Sequence, residues 1–342
     1  MTDPTPPDAA PTIRTVAARA GVSKSLVSLV LRGSPQVSPQ RRQAVLDAMD
    51  ELRYRPDAAA RSLAERRSRT VGVVIDDLTN PWFVDVLAGL RPPLRAGGLR
   101  ALLADGRTEP DAVDALSDLR VDGLVLVGSL GETAVSQLRR LGTSLPAVVA
   151  GSREPLLPHA PVVVGDNERG AHLATAHLLD LGHRRIAHVI GEGEVGRLRH
   201  RGFATALAAA GLEPAAVVAG DWTEQTGYRV GTHLLRLTPR PTAVLAANDL
   251  SAIGVMAAAE ERGLRVPEDL SVVGYDDTVF ARLRRIALTT VDNAGAAVGR
   301  AAGELLAAWL TSTTIVEPTG TTLLEPNLVV RGSSGPAPVD AS

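Results

Sequence analysis

Arg199, Asn248 and Asp276 stand where apolar segments give way to loops, far apart in the chain but of kinds that belong together. A guanidinium and a carboxylate that enter a protein interior must pair with each other or with a polar ligand, since neither charge tolerates desolvation alone. Asp77 and Asn80 add hydrogen-bonding groups in the segment 76–83, where Trp82 and Phe83 either line the same pocket or pack beneath it. Asp166 falls in Gly165-Asp166-Asn167. Such a set suits a hydroxylated small molecule. Asp249, beside Asn248, reads as a helix cap rather than a ligand contact. A second constellation, Gly191-Glu192-Gly193-Glu194-Val195-Gly196, satisfies the glycine spacing of dinucleotide-binding turns. Glu192 and Glu194 would repel a pyrophosphate, and the acidic residue Asp221 lies 25 residues beyond Gly196, so an NAD-binding oxidoreductase stands only as an alternative. A third, Ala17-x-x-Ala20-Gly21-Val22-Ser23-x-x-x-Val27-Ser28, has helix-turn-helix spacing, which sets side chains on DNA rather than at a reaction centre.

Composition removes other chemistries. The chain has no cysteine, which excludes disulfides, thiolate zinc sites and cysteine nucleophiles. There is no G-x-S-x-G elbow or H-E-x-x-H pair, and the seven histidines are not grouped at ligand spacing, so no catalytic residue, metal or cofactor is expected. His172, His177, His183 and His188 read as residues of helix faces and strand ends. At 342 residues the chain exceeds the size of one core and predicts two or three folding units. No apolar run reaches the roughly 18 residues of a membrane span, and the first eleven residues lack a basic, apolar leader, so a cytoplasmic protein is expected and a solute-binding receptor disfavoured. The net charge of −2 conceals an asymmetry: residues 12–70 carry twelve basic and five acidic side chains, while the rest of the chain is acidic. A basic head on an acidic body points to one module that faces a polyanion.

Elements that position these groups follow from periodicity. Thr12 caps a first helix with Ile13, Val16, Ala17 and Ala20 on one face, Gly21 turns the chain, Val22 plugs the angle, and Ser23 caps a second helix from Lys24 to about Leu31. Ser38-Pro39 opens a third, with Val45, Leu46, Met49 and Leu52 as its apolar stripe. Lys24, Ser25 and Ser28 then project from the second helix toward base edges. From residue 70 the pattern becomes strand then helix: strands at 71–75, 99–104, 123–127 and 147–150, then at 186–190, 216–219, 243–246 and 270–274. Two such series predict an α/β body of two doubly wound parallel-sheet lobes, with ligands held between them at the carboxyl ends of the strands.

The segments 12–28 (T-I-R-T-V-A-A-R-A-G-V-S-K-S-L-V-S) and 53–64 (R-Y-R-P-D-A-A-A-R-S-L-A) resemble the lactose repressor/galactose repressor family, and the similarity continues over nearly the whole chain. The resemblance implies an N-terminal three-helix headpiece (12–56), a hinge (57–69) that becomes helical on DNA with Leu63 as a minor-groove wedge, and a periplasmic-binding-protein-like body (70–331). Lobe 1 would comprise 70–165 and 292–322 and lobe 2 166–291 and 323–331, with disordered tails at 1–11 and 332–342. Thr12, Ser23, Lys24, Ser25, Ser28, Leu29, Arg32, Tyr54, Arg61 and Leu63 are the implied DNA-facing residues. The family often has arginine where Leu29 stands, so base reading differs there. The implied effector set is Asp77, Asn80, Trp82, Phe83, Arg153, Asp166, Arg199, Trp222, Asn248 and Asp276. Trp222 matches an aromatic platform, and Ser152-Arg153 replaces the Asp-Arg pair of sugar-binding members, so a small polar effector is implied without being fixed as a sugar. The implied partners are a near-palindromic operator, that effector and a second copy of the chain, and the implied function is a transcriptional regulator, read as a repressor.

Overall fold

The computed structural model describes residues 11–31, 33–55, 67–142, 145–153, 157, 160–312 and 319–338. The chain divides into two compact units between Ser68 and Arg69. The first holds α1 (Ile13–Arg19), α2 (Lys24–Leu31) and α3 (Pro39–Glu51). At the start of α1, Thr12 N–H donates to Thr15 Oγ1 at 2.8 Å and Thr15 N–H donates to Thr12 Oγ1 at 3.4 Å, which satisfies amides the helix itself leaves unpaired. After the turn at Gly21, Ser23 Oγ accepts from Leu26 N–H at 3.2 Å. Val16, Val27 and Val45, one from each helix, are fully buried, and Val22, Met49 and Leu52 pack around them. Leu46 does not join that stripe; it is 42% exposed, and Ala48, on the face shared with Val45 and Leu52, is buried instead. Ser38 stands at the cap position of α3, but its side chain makes no capping bond.

The body begins with β1 (Thr70–Ile75), α4 (Trp82–Ala96), β2 (Arg100–Asp105), α5 (Ala112–Asp118), β3 (Gly123–Val127), α6 (Glu132–Leu141), β4 (Ala147–Ala150) and β5 (Val162–Gly165). It continues through α7 (Asn167–Asp180), β6 (Ile186–Ile190), α8 (Gly193–Ala209), β7 (Ala216–Ala219), α9 (Glu224–Leu234), β8 (Ala243–Leu245), α10 (Asp249–Glu261) and β9 (Ser271–Val273). It ends with β10 (Thr290–Asp292), α11 (Gly295–Thr311), β11 (Thr321–Leu324) and β12 (Asn327–Val329). Lobe 1 is a parallel sheet in the order β11-β5-β4-β3-β1-β2, and lobe 2 a parallel sheet in the order β7-β6-β8-β9. The expected pair of doubly wound sheets is thus present. β3 and β4 are buried along their whole length, as all-apolar strands covered on both faces should be. In lobe 1, α4 and α11 pack on one face and α5 and α6 on the other. In lobe 2, α9 and α10 oppose α7 and α8.

The chain passes between the lobes three times: after β5, after β10 and after β11. Leu323 and Leu324 belong to the lobe 1 sheet, which moves the last crossing two residues beyond the expected one. Residues 332–338, expected within a disordered tail, are packed on lobe 2. Val272 N–H donates to Ser333 O at 2.8 Å, Ser333 Oγ donates to Val272 O at 2.6 Å, and Ala337 N–H donates to Leu181 O at 2.9 Å. A Gly-Ser-Ser-Gly composition reads as linker, yet here its polar groups satisfy the open edge of β9. No helix among the described residues is long and apolar enough to cross a membrane.

Candidate functional site

A cleft of about 540 Å³ lies between the two lobes of the body, lined from lobe 1 by Asp76, Asp77, Asn80, Trp82, Phe83, Gly128, Ser129 and Gly151. Val195, Arg199, Trp222 and Asp276 line it from lobe 2, and Asn293 from the second crossing. The volume is within the roughly 300–1,000 Å³ of small-molecule sites. Arg199, on α8 and 5% exposed, is the anchor. Its NH2 group donates to Asp276 Oδ1 at 2.9 Å, NH1 to Ala247 O at 2.6 Å and Nε to Asn167 Oδ1 at 3.0 Å. The guanidinium lies 3.6 Å from the Tyr275 ring centroid and 5.3 Å from that of Trp222, a cation between aromatic faces. Asp276 is brought beneath it by a turn in which Asp276 and Asp277 both take positive φ, 106° and 48°. Such backbone costs about 1–3 kcal/mol per residue and concentrates at functional sites. Burial pushes the Asp276 carboxyl up to about 6, with the Arg199 guanidinium opposing.

Asp77 is partly committed within its own loop, accepting from Thr79 N–H at 2.8 Å and Thr79 Oγ1 at 2.6 Å. Asn80 Oδ1 accepts from Trp82 N–H at 3.1 Å, so its amide nitrogen is the group it can offer a ligand. In the headpiece, Lys24 and Ser25 are exposed on the first turn of α2, where a recognition helix presents its reading side chains.

Two family models match the chain: bacterial regulatory proteins of the lacI family over residues 12–57, and a periplasmic binding protein-like domain over residues 175–334. The transcriptional repressor PurR of Erwinia tasmaniensis is 34% identical over 335 residues, 96% of this chain and 98% of that repressor. The chain belongs to the LacI family. Among solved LacI-family structures, the lac repressor dimer bound to operator and the anti-inducer ONPF is 31% identical, with a TM-score of 0.84 over 96% of this chain and 100% of that one. The complex of the regulator CelR with cellobiose is 33% identical, with a TM-score of 0.71 over 95% and 100%.

Within this LacI-family body, three expected effector residues lie outside the lining. Asn248 is buried and fully occupied: Oδ1 caps α10 by accepting from Ser251 N–H at 2.9 Å, and Nδ2 donates to Trp222 O at 3.0 Å. It positions Trp222. Asp166 caps α7, accepting from Arg169 N–H at 3.0 Å, and Arg153 ties its loop to α8 through its own N–H and Glu194 Oε2 at 3.0 Å. Asp249 is neither cap nor cleft residue; its buried carboxylate accepts from Thr278 N–H at 2.7 Å, Thr278 Oγ1 at 2.9 Å and Thr290 Oγ1 at 2.5 Å. Burial pushes its carboxyl up to about 7, and the nearby Asp276 adds to the shift. His188 departs from the strand-end expectation, lying fully buried inside β6.

The glycine motif at 191–196 is accounted for by packing. The Trp222 ring lies against Gly191, so that a Cβ there would come within 2.2 Å of it, and a Cβ on Gly196 would come within 1.8 Å of Gly191 O. The space a pyrophosphate would need over the turn is filled by indole. Asp76, Gly128, Ser129, Gly151, Val195 and Asn293 join the lining without having been singled out in the sequence. The strand-end rule reaches Ser129 after β3, but β10 is only three residues long and gives Asn293 no such signal. In the headpiece, Thr12 and Ser23 serve as caps, Ser28 is half-buried, and Leu29 and Tyr54 pack against the three-helix core. Arg32, Arg61 and Leu63 lie outside the described residues, as does most of the expected hinge.

Proposed function

We propose that the chain is a cytoplasmic transcriptional regulator, acting as a repressor, whose grip on a near-palindromic operator is set by a small polar effector held in the cleft. The observation that carries this is the presence, in one chain, of a helix-turn-helix with Lys24 and Ser25 exposed on α2 and of a two-lobed body whose cleft is built round the buried Arg199–Asp276 pair. The operator-bound lac repressor dimer and the CelR–cellobiose complex support the two halves of the reading. A homodimer fits a two-fold operator, and exposed apolar side chains on the body, Val279 at 62%, Phe280 at 39% and Leu283 at 47%, offer surface to bury in it. The cleft binds rather than catalyses: its one guanidinium is committed to protein acceptors, and the turn that resembles a nucleotide motif is covered by Trp222. The effector would favour one arrangement of the lobes over another and thereby change operator affinity. The test is selection of genomic fragments by the purified full-length protein, followed by gel-shift titration of a selected fragment with and without candidate metabolites. Failure to prefer any fragment would overturn the regulator, and a preferred fragment indifferent to every metabolite would overturn the effector.

A further inference from the structure

Asn167 and Asn293 occupy two of the three crossings between lobes, Asn167 directly after β5 and Asn293 directly after β10, and both are buried, at 1% and 4% exposure. Their amide orientations follow from Arg199. A guanidinium can only donate, so Asn167 must turn Oδ1 toward Arg199 Nε, at 3.0 Å, and its Nδ2 goes to Gly165 O at 3.2 Å. That oxygen also faces Asn293, which must therefore present Nδ2 to it, at 3.5 Å. Asn293 Oδ1 is left as a buried acceptor that no donor among the described residues reaches. It is held over Gly165, where a Cβ would come within 2.2 Å of it, so alanine at that crossing would displace it. On the lobe 1 wall of the same cleft, Trp82 Nε1 is a buried donor with no acceptor among the described residues. Buried groups left this way are costly, and a partner for each is a gain available to a ligand.

The geometry points to Asn293 as an effector contact built into the interlobe crossing: the effector donates a hydrogen bond to Asn293 Oδ1 and offers an acceptor to Trp82 Nε1. The inference rests on the reading of the cleft as the effector site. A hydroxyl-bearing, uncharged molecule meets both demands, whereas an oxyanion meets only that of Trp82 and meets Asn293 oxygen to oxygen. Because Asn293, Asn167, Arg199 and Asp276 form one chain of hydrogen bonds, a ligand seated on Asn293 acts directly on two of the segments about which the lobes turn.

The test uses the full-length protein, with D-ribose, D-glucose, D-cellobiose and adenosine as probes beside their phosphate esters, read by thermal shift and calorimetric titration. An uncharged probe is expected to bind, and its phosphate ester at least about tenfold more weakly. Asn293→Ala should weaken the uncharged probe about tenfold, the equivalent of one buried hydrogen bond, with little change in unliganded melting temperature. Asn293→Asp, which keeps an acceptor but cannot donate to Asn167, should bind more tightly than Asn293→Ala; a purely structural role for the amide predicts no such order. If Asn293→Ala fails to fold, Asn293→Ser makes the same comparison. A phosphate ester that binds as well as its parent, or a folded Asn293→Ala of unchanged affinity, overturns the inference alone. Absence of binding by any probe counts against the cleft as effector site, and the inference falls with it.

Discussion

Arg199 and Asp276 depend on each other, because each is buried and each neutralises the other. Asp276→Ala leaves a guanidinium enclosed by Tyr275 and Trp222 without its counter-charge, and breaking such a pair costs about 3–5 kcal/mol. The expected result is a lower urea midpoint together with loss of any effector response in gel shifts, while operator binding persists where the protein is folded. His188 supplies a pH test. Its ring stacks on Phe203 at 4.8 Å and faces His200 at 5.7 Å, its Nδ1 pairs with Leu245 O at 2.9 Å, and burial pushes its pKa down to about 4. The unfolded chain therefore binds this proton more readily than the folded one, so the His188 contribution is complete above about pH 6.5 and is lost as pH falls toward 4. Asp249, pushed up to about 7, has the opposite sign, its contribution falling as pH rises through that value. The two overlap, so the measurement is the difference between wild type and His188→Gln in melting temperature from pH 7 to 4. The variant should lose less stability on acidification. Arg199 and Asp276 were legible in the sequence because charges beside apolar runs demand partners. Asn293 was not, because an asparagine at the end of a three-residue strand resembles any surface asparagine until its neighbours are known.

Short elements carry more here than their composition announces. Residues 332–338 serve as an edge cover for β9 and as partners for buried polar groups: His183 Nε2 meets Ser271 Oγ at 3.0 Å and Gly335 O at 3.1 Å, and Ser333 Oγ accepts from Thr289 N–H at 2.8 Å. Truncation after Arg331 strips several of these bonds at once, each worth about 1 kcal/mol. A loss of at least about 2 kcal/mol in urea denaturation is expected, with unchanged stability as the result that would refute the packing role. The turn before α8 offers a second test at this scale. Gly191→Ala places a methyl group within 2.2 Å of the Trp222 ring, so the indole must move and effector affinity should fall. Operator binding without effector should be unaffected, as gel shifts with and without ligand would show. Strand and helix positions were readable because burial on both faces of a sheet selects continuous apolar runs. The tail was not, since Gly-Ser-Ser-Gly encodes no period and its order comes from the edge it lies against.

For the whole molecule, DNA binding should depend steeply on salt, because the basic residues are concentrated in 12–70 and phosphate neutralisation releases counterions. Operator affinity measured at 50 and 200 mM salt should differ on the order of a thousandfold if six or so phosphates are contacted; a flat dependence would contradict the headpiece assignment. The sequence by itself determined the two-unit plan, the helix-turn-helix and the order of parallel strands, because these follow from local periodicity, caps and the need to bury apolar faces. Tertiary structure alone decided which strand-end polar groups face the cleft and which are consumed in holding it. Asn248, Asp166 and Asp249 look as eligible as Asp276 along the chain, yet each is satisfied by a partner within its own lobe. A hydrogen-bonding group is free for a ligand only when no protein group reaches it first, and that depends on where distant segments come to lie.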